Sequence, residues 1–276
     1  MQSHPAYPIP GTLNKQWRFW SFTFLWMAIT LGLGSVAQAE PSVPTAVRPE
    51  NGSAENHLDV AALWKFTPDP KLPNVLILGD SISIGYTLQV RETLNGVANV
   101  YRPMMRKNGQ MLPGNCMDSA TGLKKLHYWL GTNSWQVILF NFGLHDLKYL
   151  DQHGKYVKPG EGSQVASPEV YEKNLQKMVA RLKQTGAVLI WATTTPVPAN
   201  SPGRVAGDAK IFNRVAAKVM KENHVQIVDL WAAVAPRFKE LAIKPGNVHF
   251  NDAGYQILAS SVVQSIKSAL KQSGQQ

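Results

Sequence analysis

The sequence predicts an α/β protein: a five-stranded parallel sheet with helices on both faces, making three layers. Two observations support this prediction. Short continuous apolar runs, typical of strands buried on both faces, recur along the chain. Amphipathic stretches with helix start and stop signals separate these runs. Strands that alternate with helices pair in parallel, and the helices then cover both faces of the sheet.

Five apolar runs are the predicted strands. The first, residues 74–79, reads Asn-Val-Leu-Ile-Leu-Gly and ends at a glycine. The other four have the same character, and they are residues 97–101, 135–140, 187–192 and 225–230. In such sheets, active groups collect at the carboxyl ends of the strands. Functional residues are therefore expected just after these runs.

Three amphipathic stretches are the clearest predicted helices. In residues 168–185, Ser167 can cap the first turn, Pro168 suits that turn, and Gly186 ends the helix. The apolar residues of this stretch fall on one helical face, and they are Tyr171, Leu175, Met178, Val179 and Leu182. Two other stretches behave in the same way, and they are residues 208–222 and 253–270.

The domain organisation predicted from composition is simple. The chain has 276 residues, of which 44% are hydrophobic, enough for one domain with a substantial core. We assign that domain to residues 59–276. Residues 40–58 hold three prolines and few large apolar side chains, so they are interpreted as a flexible leader.

The first 39 residues are predicted to be a secretory signal peptide. Lys15 and Arg18 precede an apolar run at residues 19–36, and Ala37-Gln38-Ala39 supplies small residues at the spacing that a signal peptidase requires. Cleavage after Ala39 predicts a secreted or periplasmic protein with no stable membrane anchor. The alternative is an uncut anchor, because 18 apolar residues are just enough to span a bilayer.

Composition and charge argue against several functional classes. Cys116 is the only cysteine, which excludes a disulfide framework and a zinc site built on cysteine pairs. The sequence has no glycine-rich phosphate loop, no His-x-His pair and no carboxylate cluster, so neither a metal nor an organic cofactor is expected.

The formal net charge is +10, and residues 1–39 contribute two of these positive charges and no acid. The remaining lysines and arginines are scattered, which argues against nucleic acid as a partner.

Gly79-Asp80-Ser81 follows the first predicted strand, where a helix is expected to start. Ser81 would then lie at a helix N-terminus, where the helix dipole and free backbone N–H groups favour developing negative charge. A serine in such a turn is either an exposed nucleophile or simply an N-cap.

Two histidines occupy comparable positions. The third predicted strand is followed by Gly143-Leu144-His145-Asp146. His249 lies in a loop just before the last predicted helix, outside any apolar periodicity. With Ser81 at another strand end, the pattern favours a Ser81–His249 pair.

These motifs resemble the SGNH or GDSL hydrolases, which are serine esterases on a flavodoxin-like sheet. The resemblance covers about residues 73–270, where Gly79-Asp80-Ser81 resembles the first motif block and Val248-His249-Phe250 the last. It implies that Ser81 is the nucleophile and His249 the general base. The implied function is hydrolysis of small acyl esters through an acyl-enzyme, with acetyl groups on carbohydrate as one such substrate.

The second and third blocks depart from the family pattern. The third block usually reads Gly-x-Asn-Asp and its Asn donates to the oxyanion; here His145 takes that place, as in a subgroup with Gly-Leu-His-Asp. A ring N–H can serve the same purpose. For the second block, Gly114-Asn115-Cys116 fits best by spacing and Asn108-Gly109 is the second choice. The expected oxyanion donors are therefore Ser81 and Cys116, through backbone N–H groups, and the His145 ring.

The last block departs as well. The family usually has Asp three residues before the histidine, and here that residue is Gly246. A backbone carbonyl, Asn247 or another acid is then needed to orient His249. Asp80 and Asp146 are predicted to be supporting residues, with Asp146 holding the site loops by hydrogen bonds.

Two alternatives stay open at this point. An O-acyltransferase would use the same residues, and the sequence does not separate it from a hydrolase. Gly246 also leaves room for a non-catalytic carbohydrate-binding protein on a degenerate esterase scaffold. Four tryptophans could offer a sugar-stacking face, with at least two expected in the core, and they are Trp129, Trp135, Trp191 and Trp231. Residues 193–198 are expected to line the rim of the site.

Overall fold

A computed structural model describes residues 60–274 of the chain. The strands are β1 (Asn74–Leu78), β2 (Asn99–Tyr101), β3 (Met104–Lys107), β4 (Gln110–Pro113), β5 (Val137–Phe140), β6 (Tyr149–Leu150), β7 (Ser163–Gln164), β8 (Val188–Ala192) and β9 (Gln226–Val228). The helices are α1 (Val60–Trp64), α2 (Ser81–Thr93), α3 (Ser119–Leu130), α4 (Pro168–Lys183), α5 (Asp208–Glu222), α6 (Leu230–Val234), α7 (Phe238–Leu241) and α8 (Asp252–Ser273). A 3₁₀ turn, Ala235–Arg237, joins α6 to α7.

Five strands form one parallel sheet in the order β2-β1-β5-β8-β9. All five predicted strands are therefore confirmed, each within two residues of the expected bounds. This order is that of flavodoxin-like sheets. The second strand is added on one side of the first, and all later strands are added on the other side. The point at which the side changes lies between β1 and β5. The carboxyl ends of these two strands are consequently where such a fold binds its ligand.

Helices form a layer on each side of the sheet, as predicted. Helices α2, α6 and α8 pack together in one layer, and α3, α4 and α5 pack together in the other. Helix α4 begins at Pro168 after a Ser167 cap, as its sequence indicates. The hairpin β3–β4 and helix α3 were not among the predicted elements. The hairpin turns at Asn108 and Gly109, both with positive φ, which is the geometry of a tight two-residue turn.

The core lies on the two faces of the sheet. The side chains of Val75, Ile77 and Leu139 are fully buried, which explains why these strands are continuously apolar instead of alternating. The helix layer approaches the sheet closely at Gly122 of α3, where an added Cβ would lie 2.4 Å from the Phe142 ring. This packing fixes the strand ends from which the site residues project.

Within residues 60–274, no helix is both long and apolar enough to cross a membrane. The predicted signal peptide (residues 1–39) and the predicted leader (residues 40–58) lie outside the described residues, so both stay predictions.

Candidate active site

The turn between β1 and α2 presents Ser81 at the carboxyl end of the sheet. Asp80 is the N-cap of α2, and its carboxylate accepts the Ile82 N–H at 2.9 Å. Ser81 is the first residue of the helix and is half-buried. In the described part of the chain no protein acceptor takes the Ser81 N–H, so this donor is available for another hydrogen bond. Asp80 is buried, and burial raises the pKa of its carboxyl.

Gly79 allows this turn to be tight. A Cβ at position 79 would lie 2.9 Å from the Ser83 hydroxyl oxygen, which is closer than such atoms approach. The glycine before Asp80 is therefore required by the packing of the first turn of α2.

Ser81 and His249 meet across the sheet edge. The His249 Nε2 lies 2.9 Å from the Ser81 Oγ, although the two residues are 168 positions apart. This is the distance expected for a nucleophile and the general base that removes its proton. The predicted pair is present in the structure.

Asn247 orients the His249 ring. Its Oδ1 lies 2.8 Å from the His249 Nδ1 and also accepts the His249 backbone N–H at 2.9 Å. The backbone N–H can only donate, which fixes the side-chain oxygen towards His249. The ring proton therefore sits on Nδ1, and the Nε2 lone pair faces Ser81. Of the three alternatives left open by the sequence, Asn247 is the one that the structure supports.

The backbone at Gly246 explains why an acid is missing there. Gly246 has φ +72°, and an added Cβ would lie 3.3 Å from the Asn200 carbonyl oxygen. A side chain at this position would be strained and crowded. The residue that orients His249 is consequently found one position later.

His145 follows β5 and lines the same cleft as Ser81 and His249. Its Nδ1 lies 2.8 Å from the Lys148 Nζ. Burial, with the nearby cations of Lys148 and Arg204, lowers the pKa of His145 to about 3. The ring is therefore neutral at physiological pH, and it is placed to contact a bound substrate.

Asp146 is fully buried and fastens the His145 loop to α3. Its carboxylate accepts the backbone N–H of Ser119 at 2.9 Å and also the Ser119 hydroxyl. Asn174 donates to that same hydroxyl at 3.0 Å. Burial raises the pKa of Asp146 to about 6. The predicted role of Asp146, holding the site loops, matches these contacts.

The expectation for Cys116 needs correction. Its backbone N–H donates to the Gly79 carbonyl at 3.1 Å, and its buried sulfur accepts the Gly79 N–H at 3.3 Å. Cys116 therefore ties the second-block loop to the nucleophile turn and has no N–H left for an oxyanion. Asn108-Gly109, the second choice, forms the exposed β3–β4 turn and does not line the cleft.

Asn115 is the second-block residue that reaches the cleft. Its side-chain oxygen accepts the Met117 N–H at 2.9 Å, which leaves the side-chain amide N–H₂ as a donor. Within the described residues no protein acceptor takes its backbone N–H. The spacing from Ser81 located the right tripeptide, but the buried or exposed state of each residue in it was not visible from the sequence.

The cleft has a volume of about 640 Å³ and is lined by both polar and apolar surface. Val248 of the last motif block also lines the cleft. The other lining residues were not singled out in the sequence, and they are Tyr156, Asn200, Ser201, Pro202, Arg204, Lys244 and Pro245. These come from irregular segments without periodic patterns, which is why no sequence signal marked them.

Two weaker expectations turn out differently. The rim was expected at residues 193–198, but Thr193, Thr194 and Thr195 are buried and the rim is formed by residues 200–204. The four tryptophans do not line the cleft. Trp135 and Trp191 are core residues, in agreement with the expectation that at least two would be buried.

In residues 60–274 no group of three or more His, Cys, Asp or Glu side chains is arranged to hold a metal ion.

Comparison with known proteins shows which family the sequence matches. The model of the GDSL-like lipase/acylhydrolase family matches residues 77–257, a range that includes Ser81, His145 and His249. No curated protein matches the sequence.

Solved structures share the fold at low identity. An acetyl-xylooligosaccharide esterase from Geobacillus has TM-score 0.56 and 19% identity, covering 70% of this chain and 94% of its own. A lipase/acylhydrolase from Enterococcus faecalis has TM-score 0.55 and 18% identity, with coverage of 71% and 96%. The acetyl xylan esterase AlAXEase has TM-score 0.52 and 17% identity, with coverage of 70% and 99%. At these identities the likeness establishes the fold alone.

Proposed function

Since the chain belongs to the GDSL-like lipase/acylhydrolase family, we propose that it is a serine esterase in which Ser81 is the nucleophile and His249 the general base. The observation that supports this most strongly is the hydrogen-bonded chain of Ser81, His249 and Asn247. The Ser81 Oγ lies 2.9 Å from the His249 Nε2, and the His249 Nδ1 lies 2.8 Å from the Asn247 Oδ1. This arrangement has the nucleophile, base and orienting group of a serine hydrolase, with an amide in place of the usual carboxylate.

The reaction follows from the tautomer of His249. The Ser81 oxygen attacks the ester carbonyl carbon while its proton moves to the His249 Nε2. The same proton then passes to the departing alcohol, leaving an acyl group on Ser81. Water attacks the acyl-enzyme, gives one proton to Nε2, and the acid leaves as Ser81 recovers its hydroxyl proton. Asn247 keeps Nε2 directed at Ser81 in every step.

The negative charge on the carbonyl oxygen needs donors. The N–H of Ser81 at the start of α2 supplies one, and the His145 ring supplies another. Asn115 replaces Cys116 as the proposed third donor, because it lines the cleft and has N–H groups without protein acceptors in the described residues. Together the three come from the ends of two neighbouring strands and the loop before α3.

The cleft supports a small acyl group on a polar alcohol. Its lining includes several Asn, Ser and cationic side chains, which supply hydrogen-bond donors and acceptors for the hydroxyl groups of a sugar. Fold neighbours named as acetyl xylan and acetyl-xylooligosaccharide esterases agree with acetyl groups on carbohydrate as the substrate class.

The test is hydrolysis of p-nitrophenyl acetate and of an acetylated xylo-oligosaccharide. We expect Ser81→Ala to lose about 10⁴-fold or more in kcat. Ser268→Ala, which changes an exposed serine on α8, is the control and should keep the wild-type rate. A fluorophosphonate should label the wild type and the control but not Ser81→Ala. Equal rates in the wild type and Ser81→Ala would refute the assignment of Ser81 as the nucleophile. Product analysis with a sugar acceptor present distinguishes hydrolysis from acyl transfer.

We further propose that the protein is exported, on the strength of the apolar run at residues 19–36 and Ala37-Gln38-Ala39. The mature N-terminus should then be Glu40. Mass determination of the exported protein checks this, and an intact residue 1 would argue for the uncut anchor.

A further inference from the structure

The contact between Lys148 and His145 determines which nitrogen of the His145 ring carries the proton. The Lys148 Nζ lies 2.8 Å from the His145 Nδ1. A lysine ammonium only donates hydrogen bonds, so Nδ1 must accept and hold its lone pair towards Lys148. A neutral imidazole then carries its single proton on Nε2.

The loop holds Lys148 firmly in this position. Lys148 is only 7% exposed, and its carbonyl accepts the Val165 N–H at 2.8 Å. One residue earlier, the Leu147 N–H closes the turn onto the Gly143 carbonyl at 2.9 Å. The backbone therefore brings the ammonium back onto the ring of the same turn.

Other groups around the pair make a buried ammonium tolerable. The Lys148 Nζ lies 5.3 Å from the centre of the Tyr156 ring, a favourable cation–π distance. The buried Asp80 carboxyl is within electrostatic reach of Lys148. Asp118, Arg204 and His249 also act on His145, and of these only Asp118 favours its charged form. The ring is thus kept neutral, and its orientation depends on Lys148.

We propose that Lys148 is a positioning residue that fixes the Nε2-protonated tautomer of His145, so that this ring donates a hydrogen bond to the oxyanion. The proposal rests on the proposed esterase function. In the described residues, Nδ1 is the ring nitrogen with a protein partner, and the ring lines the cleft beside Ser81. Nε2 is therefore the nitrogen available to substrate. The opposite tautomer would present a lone pair to the negative oxygen and repel it.

A double-mutant cycle isolates this role from a merely structural one. Lys148→Met should lower kcat about tenfold with KM changed less than about twofold, a smaller loss than removal of the donor itself. In the His145→Asn background the donor is an amide N–H₂, which has no second tautomer. Lys148 then has no tautomer to fix, so Lys148→Met should leave kcat unchanged in this background. Lys155→Met, at an exposed lysine of a nearby turn, is the control and should behave as wild type in both backgrounds. An equal loss in both backgrounds, or no loss in either, overturns the proposal.

The tautomer can also be observed directly by ¹⁵N NMR of histidine-labelled protein, with the His145 signals assigned by their absence in His145→Asn. We expect the proton on Nε2 in the wild type and in Lys148→Arg, which keeps a donor. A proton on Nδ1 in the wild type overturns the proposal even if Lys148→Met does not fold. If the wild type neither hydrolyses esters nor reacts with a fluorophosphonate, the esterase function fails, while the NMR result still decides whether Lys148 sets the tautomer.

Discussion

The loop after β5 and the loop before α8 each bring one histidine to the same cleft, but the two rings have opposite neighbours. At His249, the Nδ1 meets an acceptor, the side-chain oxygen of Asn247, at 2.8 Å. At His145, the Nδ1 meets a donor, the ammonium of Lys148, also at 2.8 Å. An acceptor leaves Nε2 basic, whereas a donor leaves it protonated. The comparison teaches that the partner of the distal nitrogen decides whether a histidine serves as a base or as a hydrogen-bond donor.

The electrostatic surroundings differ in the same sense. His145 is half-buried beside two cations, and its pKa is lowered to about 3 by burial and by Lys148 and Arg204. His249 is oriented by a neutral amide. A ring that never takes up a proton near neutral pH is a poor base but a dependable donor.

The largest expected effect comes from replacing each histidine by alanine. His249→Ala should lower kcat by about 10⁴-fold or more, because Ser81 and His249 act together and the variant removes the general base. His145→Ala should lower kcat by about 10²–10³-fold with little change in KM, because it removes one oxyanion donor. The measurement is steady-state hydrolysis of p-nitrophenyl acetate by both variants.

Asparagine at each position sharpens the contrast. His145→Asn should recover part of the alanine loss, since an amide can donate, whereas His249→Asn should recover nothing, since an amide is no base. The division of roles would be refuted if kcat were unchanged in His145→Ala or rescued in His249→Asn.

A smaller effect is expected from changing the group that orients His249. Asn247→Leu removes the acceptor for Nδ1–H and should lower kcat about 10²-fold, because the ring can then adopt the unproductive tautomer. Asn247→Asp keeps an acceptor and adds a charge that stabilises the imidazolium, so kcat should equal or exceed that of the wild type. Steady-state rates of the two variants, with circular dichroism to confirm folding, provide the measurement. A fall in Asn247→Asp as large as in Asn247→Leu would contradict the orienting role.

The sequence predicts the fold well because its signals are local. Short continuous apolar runs are typical of strands buried on both faces, and all five predicted runs are strands of the sheet. The helix from residue 168 has its cap, its proline and its apolar face within the stretch itself. The short hairpin β3–β4 has no such signal, because its side chains are mostly exposed.

The site is predicted less completely because its details depend on contacts between distant segments. The motif blocks gave Ser81, His145 and His249, which line one cleft. Cys116 and Asn115 are adjacent in sequence, and only the fold shows that the N–H of Cys116 is engaged with Gly79 while Asn115 faces the cleft. Lys148 carried no signal, since a lysine three residues after a histidine is ordinary until the turn brings the two together.

The two loops also differ in how they are anchored, and this difference gives the smallest expected effect on activity. The His249 loop is held by backbone pairing, as in the Ile243 N–H to His249 carbonyl bond of 2.9 Å. The His145 loop also has backbone hydrogen bonds, but it is tied to α3 by the buried carboxylate of Asp146. Burial raises the pKa of this carboxyl from 3.8 to about 6. The folded chain thus binds this proton more tightly than the unfolded chain, so the contribution of Asp146 to stability is most favourable below about pH 4 and is lost as the pH rises through 6.

Asp146→Asn should remove this dependence. Between pH 4 and pH 7 the wild type should lose at most about 3 kcal/mol of unfolding free energy relative to the variant, measured by urea denaturation at both pH values. The variant should hydrolyse esters at nearly the wild-type rate at pH 7, because an amide oxygen can still accept the bonds from Ser119. Glu222→Gln, at an exposed acid on α5, should follow the wild type. Parallel pH profiles for the wild type and Asp146→Asn would mean that burial does not perturb this carboxyl. The His145 loop would then be no more sensitive to pH than the loop that holds His249.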